Sequence, residues 1–558
     1  MYLRETKRTN SDGGTVSYLQ LAHNRRDPQT GVPQAEIIHS FGRADLVDRD
    51  GLARLVRSIS RFLEPGDAVA ATASGDVEIV DSRTLGGALV LDQLWHQLGI
   101  DQSLKRLLVG RKLDPRVERV LFALVANRAL EPLSKLAPTQ WVRERVFVDG
   151  LPEVDDDTCY RAMDFLLECE EELSKAVFFA TADLLRLRVD LIFFDGSSTY
   201  WETDQADPTL VDDNGEVVQL GFRAYGHSKD HRPDLPQVMI EMAVTQEGIP
   251  IRVWSWPGGT GESPVLRQVR DDLQGWQLGR VVWVADRGFS SRANRACLQQ
   301  GEDHYIIGEK LRGDSADAHQ ALSRPGRYHQ VAENLVVKEV VAGDDRVVLC
   351  HNPEEAIRDQ AARERLLKRL EEEITGSDQL SPTKRAELLG KLKTKPGLSR
   401  LLRVTAGGLL RVDRAAVARE AHLAGKFLLG SSDPSLTAEE IALGYNQLLQ
   451  VERGWRDMKT TLELRPVYHR KQERIRAHIV LCWLALLLIR VAENRTQDTW
   501  RNLRHELQRL HLGVFRGSAG QCHQRTEITT RQAQIFKSLE IPEPPRFLTR
   551  KASSRSAT

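Results

Sequence analysis

"VDLIFFDGSS", residues 189 to 198, and "RVVWVADRG", residues 280 to 288, share one design: an apolar run that stops at an aspartate. Such a run reads as a strand buried on both faces, the kind found in sheets covered by helices on either side. Asp195 and Asp286 then end two buried strands, and neighbouring strand ends form the crevice in which an open α/β sheet binds its ligands. "VVQLGFRAYG" (217 to 226), "QVMIEMAVTQ" (237 to 246), "IPIRVWSW" (249 to 256) and "HYIIG" (304 to 308) are further strands, broken by Gly, Asn, Asp and Pro. Helices are expected over Pro264 to Leu273 and Ser291 to Gln299. Strands in succession, then strands alternating with helices, make a mixed sheet flanked by helices.

A chain of 558 residues exceeds one compact core, so several units are expected. Residues 1–85 form a small α+β head: "VSYLQLAH" and "QAEIIHSFG" are extended, and "GLARLVRSISRFL" is helical. Residues 86–188 are helical throughout, as in "LDPRVERVLFALVANRAL", where Asp114 and Pro115 start a helix and apolar residues recur at helical spacing. The sheet occupies 189–308. Residues 309–437 form an α+β insertion, with a hairpin turning at "GDD" and two charged amphipathic helices. Residues 438–500 return to the sheet with a helix, and 501–558 close the chain with a helical region and a disordered tail, "TRKASSRSAT".

Lys+Arg and Asp+Glu both total 78, so any nucleic-acid affinity must come from local clustering and not from overall charge. Six cysteines without a CxxC or a Cys/His cluster point to neither a disulfide framework nor a structural zinc. The polar N-terminus lacks the apolar core of a signal peptide, and the run Ile479 to Ile489 is too short for a membrane span and reads as a buried helix. A cytoplasmic protein with no membrane partner is expected.

A third acid lies in "YNQLLQVERGWRDMKTTLELRPVYHRK", Tyr445 to Lys471, read as one helix and its exit. Glu452 could bring a third carboxylate to Asp195 and Asp286. Gathered at an apolar strand end, such acids repel and are poorly solvated unless a cation compensates them. Hard oxygen donors suit Mg²⁺ or Mn²⁺, and two such ions about 4 Å apart can hold the attacking and leaving oxygens of a phosphoryl displacement. Each acid alone has an ordinary reading, as a turn or cap residue for the aspartates and as an i,i+4 partner of Arg456 for Glu452. Downstream of Glu452 the segment to Arg476 is rich in Arg and Lys, as a phosphate backbone requires. Ser197 and Ser198 are read as satisfying turn amides.

These motifs resemble the DDE transposases of bacterial insertion sequences, in the branch marked by a Tyr-x2-Arg-x3-Glu-x6-Lys signature. "FFDGSSTYWE" is similar to the first-aspartate segment and "VADRGFSS" to the second. "YNQLLQVERGWRDMK" is similar to the third, with Leu448 where the signature carries Arg. "GHSKDHRPDLPQV", "PGGTGES", "GKFLLGSSDPSLTAEEI" and "LRPVYHRKQERIRAHI" extend the resemblance from about Asp190 to Ile489.

The resemblance implies an RNase H-like, mixed five-stranded sheet flanked by helices and interrupted by the insertion; the helical module at 86–188 before it is, by its position and its interspersed Arg and Lys, the candidate for binding the DNA ends. It implies that Asp195, Asp286 and Glu452 are catalytic and hold two Mg²⁺ (or Mn²⁺) ions. It also implies that the protein cleaves DNA at terminal inverted repeats and joins the 3′-hydroxyl ends to target DNA. Tyr445, Lys459, Arg465, Arg470, Lys229 and Arg232 are the DNA-contacting candidates, and a homodimer on paired double-stranded ends is the expected assembly. A metal nuclease of the same fold without strand transfer, and a catalytically impaired DNA-binding regulator, are the competing functions.

Overall fold

The computed structural model describes residues 1–548 apart from 10–13, 28–30, 61–77, 135–136, 188–189, 204, 277, 313–315, 325, 343–344, 466, 468 and 518–519. The expected disordered tail lies outside the described residues, as do the end of the first helical pattern and the "GD" of the expected hairpin turn. Two compact units emerge: Met1–Asp81 with Val514–His523, and Ser82–Gly513 with Gln524–Leu548.

In the first unit, β1 (Tyr2–Thr9), β2 (Thr15–Arg26) and β3 (Pro33–Arg43) form an antiparallel sheet, and α1 (Arg49–Ser60) follows. A strand β4 (Glu78–Thr84) comes next in the chain.

The second unit opens with six helices, α2 (Gly86–Gln97), α3 (Ile100–Leu108), α4 (Val117–Leu130), α5 (Ala137–Glu144), α6 (Asp156–Glu168) and α7 (Glu170–Leu185). The helix α4 carries buried residues all round, which accounts for a sequence with almost no polar face. Its one buried acid, Glu118, is satisfied by the Trp95 indole at 2.8 Å and the Arg119 guanidinium at 2.6 Å.

The sheet follows: β5 (Leu191–Tyr200), then a short hairpin of β6 (Leu210–Val211) and β7 (Val217–Gln219), then β8 (Gln237–Val244) and β9 (Pro250–Pro257). Helix α8 (Glu262–Gln274), β10 (Val282–Ala285), α9 (Arg292–Leu298) and β11 (His304–Glu309) complete the alternation. The expected strand at 217 to 226 is realised only as β7. Its remainder, 220–226, joins the sheet through a single bridge, Ala224 to Gln237.

The segment 309–437 contributes α10 (Ala316–Ser323), β12 (His329–Ala332), β13 (Leu335–Ala342), β14 (Asp345–His351), α11 (Pro353–Ile374), α12 (Pro382–Lys393), α13 (Pro396–Ser399), β15 (Leu402–Val404), β16 (Leu410–Val412), α14 (Arg414–Leu423) and β17 (Lys426–Ser431). The chain then runs through α15 (Ala438–Asn446), α16 (Leu449–Thr460), α17 (Gln472–Thr496), α18 (Trp500–Leu507), β18 (His511–Gly517), β19 (Gly520–Arg525), α19 (Thr530–Ser538) and β20 (Phe547–Leu548), so the closing region expected to be helical also carries strands.

Among the described residues the sheet has nine strands, in the order β12-β13-β14-β17-β11-β10-β5-β8-β9, where five were expected. β5, β10 and β11 are parallel, whereas β8 and β9 are antiparallel to their neighbours. The extra four strands come from the 309–437 segment. β17 pairs antiparallel with β11 and with β14, so the edge that β11 would leave open is covered.

Alternate residues of the central strands enter two different cores. Phe193, Val282, Val284 and Ile306 pack on the face covered by α16 and α17, while Ile192, Phe194, Trp283, Ala285 and Ile307 pack on the face covered by α8. Both faces are dry, which is why these strands read as continuous apolar runs. The first core continues through α17 into the six N-terminal helices of the unit. By length and composition α17 could cross a membrane, but 94% of its apolar window is buried inside the protein.

Phe194 lies between the rings of Trp254 and Phe289, at centroid distances of 6.5 and 5.2 Å. Phe194→Ala should lower unfolding stability by about 3–5 kcal/mol in urea denaturation, whereas Ile357→Ala, on an exposed face of α11, should change it by less than about 0.5 kcal/mol.

Candidate active site

The β5–β10 register pairs Phe194 with Ala285. One residue further come Asp195, still within β5, and Asp286, which follows the last residue of β10 and caps the short turn Arg287–Phe289. By the alternation of the two cores, both continue the face of Phe193 and Val284, the face that carries α16. Asp195 does not end its strand, as had been expected. β5 continues to Tyr200 because β8 pairs along its other side, Asp195 lying opposite Met242.

The stretch read as one helix is two. Around Gln447 and Leu448 the backbone switches to i→i−3 hydrogen bonds, from Gln447 to Gly444 (3.1 Å), Leu448 to Tyr445 (3.0 Å) and Gln450 to Gln447 (2.8 Å). Tyr445 therefore closes α15, which opens with a Thr437–Glu440 capping box, and Glu452 lies in the first turn of α16. Leu448, at the signature arginine position, is buried in the core at this junction. A cation there would be desolvated.

Gly454 sets how closely α16 approaches the sheet. A Cβ at 454 would lie 2.6 Å from Met242 Cε, the side chain opposite Asp195 in the β5–β8 register. Glu452, two residues earlier, is exposed and makes no ion pair with Arg456 among the described residues. Among the described residues no hydrogen bond joins it to either aspartate; Asp286 is held instead by Tyr445, whose hydroxyl donates to Asp286 Oδ1 at 3.3 Å. Burial, then Asp286, and last Glu452 push the Tyr445 phenol up, so it stays a neutral donor. Gly308, on β11, leaves room for that hydroxyl, which would lie 2.6 Å from a Cβ. Asp286 Oδ1 also accepts from the Arg287 amide at 2.6 Å.

Asp195 is held differently. The Lys229 ammonium lies 3.3 Å from Asp195 Oδ1, 2.8 Å from Glu262 Oε1 and 2.7 Å from the Gly196 carbonyl oxygen. Burial pushes the Asp195 carboxyl up to about 6, with Lys229 opposing. Burial works against the Lys229 charge, but Asp195 and Glu262 outweigh it and raise the ammonium. The loop bearing Lys229 is fixed by Ser198, whose hydroxyl accepts from the Lys229 amide at 3.0 Å, so this serine satisfies a turn amide.

Of the remaining candidates, Lys459, Arg465 and Arg232 are paired in the free protein. Asp230 takes both Lys459 (2.8 Å) and Arg465 (3.3 Å), leaving one surplus positive charge, and Arg232 is held bidentate by Asp234. Arg465 and Arg232 also lie over the Tyr200 ring, at 4.4 and 5.2 Å. Arg470 is exposed.

Beside Asp286 opens a cleft of about 550 Å³ lined by Arg287, Lys310, Arg312, Lys426 and Tyr445. The sequence reading missed Lys310, Arg312 and Lys426, because two of them sit beyond the end of β11 and one on β17, adjacent only through strand pairing. It also missed Glu241 and Glu262. A lone acid inside the apolar run "MIEMAV" was the available signal for Glu241, which is fully buried.

Among the described residues, no three His, Cys, Asp or Glu side chains converge closely enough to hold an ion. In chemistry, however, the donors suit a hard divalent cation. They are carboxylates throughout, neither oxygen of buried Glu241 is hydrogen-bonded, and an ammonium bridges Asp195 and Glu262. Burial, then Glu262, raises the Glu241 carboxyl well above the usual range; Lys229 opposes this, and the nearby Trp256 indole lowers it slightly without closing a hydrogen bond.

The family model of the transposase DDE domain matches residues 190–488, and that of the IS1634 family transposase N-terminal domain matches residues 3–71. The chain belongs to the DDE transposases. It is an insertion-sequence transposase, an enzyme that cuts and joins DNA, of a family that generally uses divalent metal ions. No curated protein matches this transposase. Among solved structures, a cryo-EM structure of the piggyBac transposase synaptic complex with hairpin DNA is 11% identical and covers 76% of this chain and 79% of its own, at a TM-score of 0.35. That likeness is too distant to carry an inference.

Tyr445→Phe keeps the ring stacked 6.0 Å from Phe427 and deletes only the hydroxyl that holds Asp286. It should lower unfolding stability by about 1–2 kcal/mol, measured by denaturant titration, with no change in m-value.

Proposed function

We propose that Asp195, Asp286 and Glu452 form the catalytic centre of this transposase, on an RNase H-like core made of β9-β8-β5-β10-β11. The observation that supports this reading is the β5–β10 register, which ends one residue before both aspartates, with Phe193 and Val284 in the core that α16 joins. Asp195 and Asp286 would hold a divalent cation, Mg²⁺ or Mn²⁺, with Glu452 added from the first turn of α16. Such ions, two in number, would activate water as nucleophile and offset charge on the transferring phosphate. The protein's own part is positional. Tyr445 and the Arg287 amide orient Asp286, Lys229 steadies Asp195, and the two dry cores keep the strands from shifting.

The same residues would serve two displacements in turn. Water first attacks the phosphodiester at an element end and frees a 3′-hydroxyl; that hydroxyl then attacks target DNA. Both leave the protein without a covalent bond to DNA. Lys459, Arg465, Arg470 and Arg232 on one side, with the cations of the Asp286 cleft on the other, would take the backbone phosphates. The helices between 86 and 188 are the proposed readers of the terminal inverted repeats, and a homodimer would hold two ends together. We place this action in the cytoplasm, on chromosomal or plasmid DNA.

With a labelled duplex carrying the element's flanking ends and Mg²⁺, the native chain should cut and then join. Asp195→Ala should lower cutting by roughly a hundredfold or more; equal cutting by both would overturn the assignment. Cutting without joining would favour the nuclease reading. Lys459→Met should weaken DNA binding and reduce the slope of log K against log salt by about 0.9, read by fluorescence anisotropy at several salt concentrations.

A further inference from the structure

Glu262 opens α8 on the face of the sheet opposite α16, yet it reaches both aspartate segments. Its Oε1 lies 3.6 Å from where a Cβ of Gly196 would stand, beside Asp195, and its Oε2 lies 3.5 Å from the same point at Gly288, in the turn after Asp286. A Cβ at either glycine would stand in ordinary contact with this carboxylate. The first turn of α8 is anchored there: the Asn294 amide donates to Ser263 Oγ at 3.1 Å, and Ser263 donates to Ser291 Oγ at 3.2 Å.

One ammonium touches both carboxylates, Lys229 at 3.3 Å from Asp195 and 2.8 Å from Glu262. A divalent cation with bonds of about 2.1 Å to the same two oxygens would need each to draw in by roughly an ångström. Behind them lies a second pointer to a cation. Glu241 is fully buried on β8, opposite Gly196, with one oxygen 3.5 Å from the Gly196 Cβ position and neither oxygen hydrogen-bonded among the described residues. Three acids and one lysine leave this pocket with an excess of acidic groups over basic ones.

We propose that Glu262 is a fourth carboxylate of the catalytic centre, sharing a divalent cation with Asp195, and that the Lys229 ammonium holds that cation's place until it arrives. This rests on the reading of Asp195 as a metal ligand given above. The cation would take the position between the two carboxylates, and Lys229 would swing out toward the DNA backbone, still tethered through its loop to Ser198.

The test is Mn²⁺ binding to the full chain, followed by the loss of the free-ion EPR signal and by calorimetry, with thermal unfolding run on each variant. Glu262→Gln should bind Mn²⁺ at least tenfold more weakly than the parent, and Glu262→Asp should recover part of the loss. Lys229→Gln should bind at least tenfold more tightly, because the internal competitor is gone. If Glu262→Gln binds like the parent while Asp195→Asn does not, the fourth carboxylate is overturned and the Asp195 assignment stands. If Asp195→Asn also binds like the parent, both fall. Unchanged affinity in Lys229→Gln overturns the placeholder role, and that variant carries the test should Glu262→Gln fail to fold.

Discussion

The parallel pairing of β5 with β10 is the constraint on which the site depends. Four residue pairs, from Leu191–Val282 to Phe194–Ala285, fix the register, and a slip by one residue would turn one aspartate to the opposite face. The two dry cores prevent that slip, since it would carry Phe193 or Phe194 and their partners into the wrong layer. Parallel strands need a crossover between them, and α8 is part of the one that joins the two aspartate strands. The helix that makes the register possible thus also delivers Glu262 to it.

Charge is balanced locally before any DNA is present. Lys229 answers Asp195 and Glu262, Asp230 answers Lys459 and Arg465, and Asp234 answers Arg232. A chain with equal totals of acids and bases can therefore still present a nucleic-acid surface, because a base held by an internal acid can exchange that partner for a phosphate. Leu448 is part of the same economy of charge: at a buried joint between two helices an apolar residue packs where an arginine would need a partner.

Much of this was legible in the sequence where one element carried its own signal. The apolar runs ending at Asp195 and Asp286 gave strands, and α8, α9 and α17 followed from period and composition. What was not legible depended on pairing between distant segments. Nothing in "GKFLLGSS" says that β17 will close against β11 and widen the sheet, or that Lys426 will then face Asp286 across a cleft. The joint at Gln447 is invisible because every residue there tolerates a helix, and only the i→i−3 hydrogen bonds of the fold show the break. In "PGGTGES" nothing marks Glu262, since its partner, Lys229, comes from a loop 33 residues earlier and meets it only in the fold.

The most direct measurement of the central claim is anomalous scattering at the manganese edge from crystals of this transposase bound to an element end and soaked with Mn²⁺. The account predicts an anomalous peak within about 2.4 Å of carboxylate oxygens from both Asp195 and Asp286. Peaks that touch neither aspartate, or density placing the two side chains on opposite faces of the sheet, would contradict it.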